Sequence, residues 1–311
     1  MGLRRLGHIG LPEHAGKGGF DHAAVDRQRG LLFVAHTAND AVDVVDVPAG
    51  AWLRSLSGLR GVAGALVDEP TGRVFTSNRG ENTVGILAAD STGEAAKVAV
   101  GIRPNGLAHD PARGILLSAN VGDPAVPGSP SVTLVDVADR AVLATVPMPG
   151  RTRWAIFDPD PRRFFVNIAD PPEIVVLDPA RPGEIDRRIP VPAAGPHGLD
   201  FDRRRRRMYC ACDAAKLVAL DSGSGETLAA LELSGAPDVI FLDAALSRLY
   251  VAIGDPGVID VIDVDAWKRV EVVATGRGAH TIALDDATHR VYAFLPETHR
   301  AMVLEDDSAG R

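Results

Sequence analysis

Short apolar runs recur along the whole chain, all but one opened by a polar residue and each closed by an aspartate and a charged turn. Residues 279–295, AHTIALDDATHRVYAFL, show the unit: His280 opens, an apolar run follows, Asp285 closes it, and a second run begins at Arg290. The same order appears in GFDHAAVDRQRGLLFVAH (19–36), PNGLAHDPARGILLSAN (104–120), PHGLDFDRRRRRMYCAC (196–212) and PDVIFLDAALSRLYVAI (237–253), with weaker copies at 63–78 and 153–168. The closing aspartates are Asp26, Asp68, Asp110, Asp158, Asp202, Asp243 and Asp285, at spacings of 42, 42, 48, 44, 41 and 42 residues. A period of this length, with room for four short strands, predicts an all-β fold: a seven-bladed β-propeller of four-stranded antiparallel blades.

Taken in order, the blades are expected at 20–57, 62–100, 105–148, 153–191, 197–234, 238–274 and 280–304, forming one domain over 1–311. The last repeat holds only three strands, and an alternating stretch at 3–10 supplies the fourth. The N-terminal strand is therefore expected to complete the last blade and close the ring. The third strand of the first blade, AVDVVDV, alternates as a half-buried strand should. VGDPAVPGSP at 121–130 reads as a loop insertion and accounts for the spacing of 48.

The first strand of each propeller blade lines the central channel, and chain reversal fixes which loops share a face. The openers then gather around one mouth: Asp21 with His22, Asn105, Arg153, His197, Asp238 and His280, with Ala63 in the second blade. The ends of the second strands add His36, Asn78 and Asn120 to the same face, where the 121–130 insertion takes the position of a partial lid. The arginine-rich turns fall on the opposite face, and the closing aspartates serve turn geometry. Each mouth residue also has a plainer role. Channels are lined by polar groups because they are solvated, and Asn78 and Asn120 suit the capping of backbone groups in the following loops. Arg153 suits a carboxylate ligand, while Trp154 reads as a blade-packing residue.

The composition, with 46% hydrophobic residues in 311, supplies ample core between blades. A net charge of −8 gives no global field for nucleic acid, and the arginine run at 203–207 reads as a solvated turn. No segment approaches the roughly 20 apolar residues of a membrane span. The opening MGLRRLGHIGLPEHAG has no apolar run behind its basic residues, so a cytoplasmic location is expected, or a periplasmic or secreted one if a signal peptide has been removed. Cys210 and Cys212 share one face of a strand and are expected to be reduced and unbridged.

The repeats FDHAAVDRQRGLLFVAH, RVFTSNRGENTVGIL, RLYVAIGDPGVIDVIDV and HTIALDDATHRVYAF resemble those of the YVTN-repeat β-propellers, the YncE-like group. That resemblance covers nearly the whole chain and implies the fold, since such repeats serve proteins of many roles. A looser similarity links Asn105 of PNGLAHD and Asp238 of PDVIFLD to the openers of gluconolactonase-like propellers, whose channels hold a divalent metal. Those relatives typically carry a glutamate in the first blade, where this chain has Asp21-His22.

His197, Asp238 and His280 open three consecutive blades, and Asp21-His22 opens the next around the ring. Two histidines and a carboxylate with open positions suit zinc or another transition metal better than calcium. Such a metal would activate water or polarise a carbonyl. The expected function is thus small-molecule chemistry of a metal-dependent hydrolase or lyase, lactonase-like, with His197, His280 and Asp238 as catalytic and metal residues. Asp21, His22, His36, Asn78, Asn105, Asn120 and Arg153 are the expected ligand contacts. The alternatives are a non-catalytic propeller that binds a ligand or a partner protein on the same face, and a purely structural scaffold.

Overall fold

The computed structural model describes residues 2–309, which form a ring of seven four-stranded antiparallel sheets. In six blades the strands run in sequence order from the channel outward. In the seventh, Ile282–Asp285, Arg290–Leu295 and Arg300–Asp306 are completed by Leu3–Gly10, which pairs antiparallel with the last of them, Leu3 opposite Asp306 and Gly10 opposite Arg300. The expected closure is present, so opening the ring requires stripping a strand from its sheet.

The second strands explain how the blades adhere. Their third residue is Phe33, Phe75, Leu117, Phe165, Tyr209, Tyr250 or Tyr292, and none is more than 3% exposed. A large side chain repeated at one register position fills each blade interface, and each contributes about 2–3 kcal/mol of burial. The two middle strands of a blade are covered on both faces by neighbouring blades. For this reason the expectation that AVDVVDV is half exposed fails: Asp43 is fully buried, its carboxylate held by His36 Nδ1 at 2.7 Å and by Ser55 Oγ. The outermost strands carry the solvent face, as in Ala51–Leu56 and Ala141–Pro147.

The closing aspartates do shape turns. Asp26 accepts from Arg29 N, Asp110 from Ala112 and Arg113 N, Asp202 from Arg205 N, and Asp243 from Ala245 and Leu246 N. Arg29, Arg113 and Arg205 return a guanidinium to the same carboxylate, so part of the arginine excess on this face is turn chemistry. Cys210 and Cys212 are buried and free, their Sγ atoms 3.9 Å apart.

A bulged polar mouth above a closed channel

The pairing of first with second strand slips at the opener in five blades: between Phe20 and Ala23, Val62 and Gly64, Pro104 and Leu107, Thr152 and Ala155, and Pro196 and Gly198. A bulge leaves residues unpaired and re-aims their side chains. In blades six and seven the strands begin only at Ile240 and Ile282, two residues later than the sequence suggests, which leaves Asp238 and His280 just ahead of the ladder. The residue after the opener is glycine in blades two, three and five. A Cβ on Gly64 would stand 2.7 Å from the carbonyl oxygen of Asn105, one on Gly106 2.5 Å from that of Arg153, and one on Gly198 2.4 Å from that of Asp238. Each glycine admits the next blade's opener, which is the steric reason for the Pro-polar-Gly spelling.

His197 is the hub of one half of the mouth. Its Nδ1 lies 2.7 Å from Asp213 Oδ1 and its Nε2 3.1 Å from Asp238 Oδ1. Burial alone would lower its pKa, but the Asp238 charge and the hydrogen bonds to Asp213 and Asp238 prevail and raise it to about 9. Both carboxylates respond in the opposite sense: burial would raise them, and the imidazolium holds both below the ordinary range. Arg153 Nη1 is 3.2 Å from His197 Nε2. With that nitrogen protonated, the pair is two cations side by side, and Arg153 is balanced by Asp213 Oδ2 at 3.0 Å. His280 Nδ1 lies 2.8 Å from the Gly278 carbonyl oxygen, to which it donates as Nδ1–H, and its Nε2 is 3.9 Å from Asp238. In the neutral ring this bond leaves Nε2 as a bare acceptor.

The other half is cationic. Arg79 Nη2 pairs with Asp21 Oδ2 at 3.1 Å. Arg151 is held below the usual guanidinium range by burial first, then by the charges of Arg153 and Arg103, with Arg79 adding to the same effect. Among the described residues, neither Arg103 nor Arg151 has a carboxylate within ion-pair distance. Arg103 and Arg151, both exposed, thus add two guanidiniums beside the paired Arg79, Arg153 and His197. Arg103 has a φ of +55°, in the slot where other blades place Gly61 (+59°), Gly195 (+70°) and Gly278 (+77°). A large side chain is accommodated where the backbone favours none.

The mouth is shallow. His22 and Trp154 occupy the position filled by glycine in blades two, three and five, and their rings meet across the channel with centroids 4.3 Å apart. Trp154 also meets Phe241 edge-on at 6.1 Å. The indole leaves blade four and packs against the core between blades six and seven as well as the core between blades four and five. Below this partition lies a cavity of about 560 Å³ that opens on the arginine-rich turn face, with Arg27, Glu69, Arg203 and Asp286 at its rim. This cavity is not lined by the 121–130 loop. The loop's backbone bonds run to Ile102 and Arg103, and Ser129 ties it to Asp123.

No family model matches the chain, and no curated protein matches it. Among solved structures it is similar in fold to one titled Kuenenia stuttgartiensis Hydrazine Synthase, with 14% identity, a TM-score of 0.83, and coverage of 94% of this chain and 97% of that one. At that identity the likeness shows the seven-bladed fold alone.

Of the expected site residues, the structure gathers Asp21, His22, Arg153, His197, Asp238 and His280. Asn105 is 6% exposed, with Oδ1 unpartnered. His36, Asn78 and Asn120 are corrections, since all three are fully buried. His36 bridges Asp43 and His14, Asn78 donates to Thr83 Oγ1, and Asn120 donates to Ser131 and Thr133. The last residue of each of those strands turns into its blade rather than the mouth. Missed were Arg79 and Asp213, each directly after a second strand, and Arg103 and Arg151, each two residues before an opener. Trp154, expected only between blades, also partitions the channel.

Both ring nitrogens of His197 lie against carboxylates, Nδ1 against Asp213 and Nε2 against Asp238. Among the described residues, no group of three or more His, Cys, Asp or Glu side chains is placed to hold an ion.

Proposed function

We propose that this chain is a ligand-binding β-propeller of the YVTN-repeat kind whose bulged mouth takes a small organic carboxylate. The supporting observation is the pair Arg103 and Arg151, two guanidiniums without ion-pair partners among the described residues, beside the paired Arg153 and Arg79. A planar guanidinium fork matches a carboxylate in two parallel hydrogen bonds. The opposite half offers acceptors, Asp238 Oδ2 and His280 Nε2, so a hydroxyl or amine on the same ligand has a place to donate. Binding rather than turnover is favoured because His197 is tied on both sides. The large exposed apolar side chains, such as Trp52, Leu53, Val142, Leu143 and Val272, lie on outer strands of several blades. They therefore do not mark this mouth as a protein interface.

The test is calorimetric titration with malate, glutamate, acetate and inorganic phosphate. A hydroxy- or amino-carboxylate should bind saturably, less tightly in high salt, and at least about tenfold more weakly to R103A/R151A, the scale of a lost charge-assisted hydrogen bond. No saturable binding, or binding indifferent to the double variant, would overturn the proposal. Stoichiometric metal in the purified protein, lost in His280→Ala, would instead restore the metal-dependent hydrolase or lyase.

A further inference from the structure

The cavity beneath the Trp154–His22 partition is used by nothing described so far, and its chemistry is opposite to that of the mouth. Its wall is apolar and aromatic, with Trp154, Phe157, Phe201 and Phe241 among its lining residues. Its ionisable lining comprises four carboxylates, Asp68, Glu69, Asp200 and Asp286, against two guanidiniums, Arg27 and Arg203. Both guanidiniums sit at the rim and are engaged there. Arg27 pairs with Glu69 at 2.7 Å and Asp286 at 2.5 Å, and Arg203 lies 3.5 Å from Asp158. The two lining histidines are kept neutral, since burial lowers both His22 and His109 more than their neighbouring aspartates raise them. Among the described residues, no free cation therefore faces the interior.

Asp200 is the unusual group. It occupies a register position filled in other blades by Ala24, Leu66, Ala108, Ile156 and Phe241, which line the cavity, and by Ala283, which is buried in the core. Its Oδ1 accepts from Phe201 N and its Oδ2 from Leu242 N, both at 2.7 Å. Two amide donors leave half of the carboxylate's acceptor capacity unused. Among the described residues no cation lies within ion-pair distance of it. His109 lines the cavity with a side chain 8% exposed, packed against Phe75, its Nε2 buried and without a hydrogen-bond partner. A carboxylate without a counter-ion in an apolar site is costly to keep. An aromatic wall presents the negative faces of its rings to whatever stands before them.

We propose that this cavity is a second ligand site, entered from the turn face and selective for a small organic cation with an apolar body, whose charge sits between Asp200 and the aromatic wall formed by Phe241 and Trp154. The site is separate from the mouth, so it holds whether or not the mouth takes a carboxylate.

Three probes with one ring and three charges test this by calorimetry: benzyltrimethylammonium, benzyl alcohol and phenylmethanesulfonate. The cation should bind saturably and at least about tenfold more tightly than the alcohol, with the sulfonate weakest. Asp200→Asn should bring the cation's affinity down to near the alcohol's. Because a single amide oxygen then serves both Phe201 N and Leu242 N, its melting is checked alongside. Phe241→Leu, which leaves Asp200 intact, should also weaken the cation more than the alcohol. R103A/R151A should leave all three affinities unchanged, which separates this site from the mouth. The proposal is overturned if the alcohol equals the cation, if the sulfonate binds best, if the cation shows no saturable heat, or if both cavity variants preserve the preference for the cation.

Discussion

The mouth and the cavity are lined by the same first strands, only a few residues apart, yet they carry opposite charge. At the mouth, bulges release the ladder, and the exposed Arg103 and Arg151 stand beside the paired Arg79, Arg153 and His197. Below the partition the ladder is regular, side chains are short or aromatic, and the interior charge is an aspartate without a cation. The backbone decides which chemistry is affordable at each level. Where it is irregular and wet, charges are paired and in surplus. Where it is regular, Asp200, a carboxylate with no cation beside it among the described residues, is held by main-chain donors.

Removing the partition breaks this contrast most severely. Trp154→Ala should cost about 3 kcal/mol, the range for deleting a large aromatic from a packed site. It should also join the two compartments, so that benzyltrimethylammonium loses its preference for the cavity. Denaturant unfolding and calorimetry on the same variant measure both effects.

The charge network at the mouth comes next and has a definite pH sign. The folded-state pKa of His197, about 9, lies above its unfolded value near 6.5. Its contribution to stability is therefore complete below about pH 6.5 and lost as pH rises through about 9, on the order of 2–3 kcal/mol. His197→Gln should flatten that limb of the stability profile. A profile that stays level from 6.5 to 9.5 in the native chain would show that the imidazolium is not held.

Asp200 has the opposite sense. Burial, only partly offset by the backbone bonds from Leu242 and Phe201, raises it to about 6. A raised carboxylate pKa means the folded state resists the charged form, so this residue opposes folding at neutral pH and the penalty fades as pH falls through 6 towards 4. Cation binding in the cavity should weaken over the same interval. Asp202 and Arg203 bear on Asp200, while His22, His109, Asp68, Glu69, Arg27 and Asp286 also face the cavity. Asp200→Asn separates its own titration from theirs. The smallest effect is in the turns: Asp202→Asn should cost about 1–2 kcal/mol through its bonds to Arg205, with ligand affinities unchanged.

The fold was legible because its unit repeats. Seven closing aspartates, seven openers and a spare N-terminal alternation each name a register position, and a closed ring admits few other arrangements. The openers were legible as a group for the same reason. What the sequence hid is side-chain direction near bulges. His36, Asn78 and Asn120 end their strands on the mouth face, but a strand's last side chain points to one side of the pleat or the other, and theirs turn inward to Asp43, Thr83 and Ser131. Arg103 and Arg151 were readable in hindsight, as arginines in two adjacent blades at a slot where most other blades carry glycine. Asp213 had a fainter signal, a charge directly after a second strand, shared only with Arg79. Trp154 looked like packing because nothing in a single repeat reveals that an indole from blade four meets His22 of blade one.

The division of the channel is tested most directly by amide chemical-shift mapping on one labelled sample with two probes added in turn. Malate should move the amides of Arg103, Arg151, Arg153 and Asp213, while benzyltrimethylammonium should move those of Phe201, Phe241 and Leu242, each set saturating without disturbing the other. A single shared set of shifts, or displacement of one probe by the other, would contradict two sites of opposite charge preference in one channel.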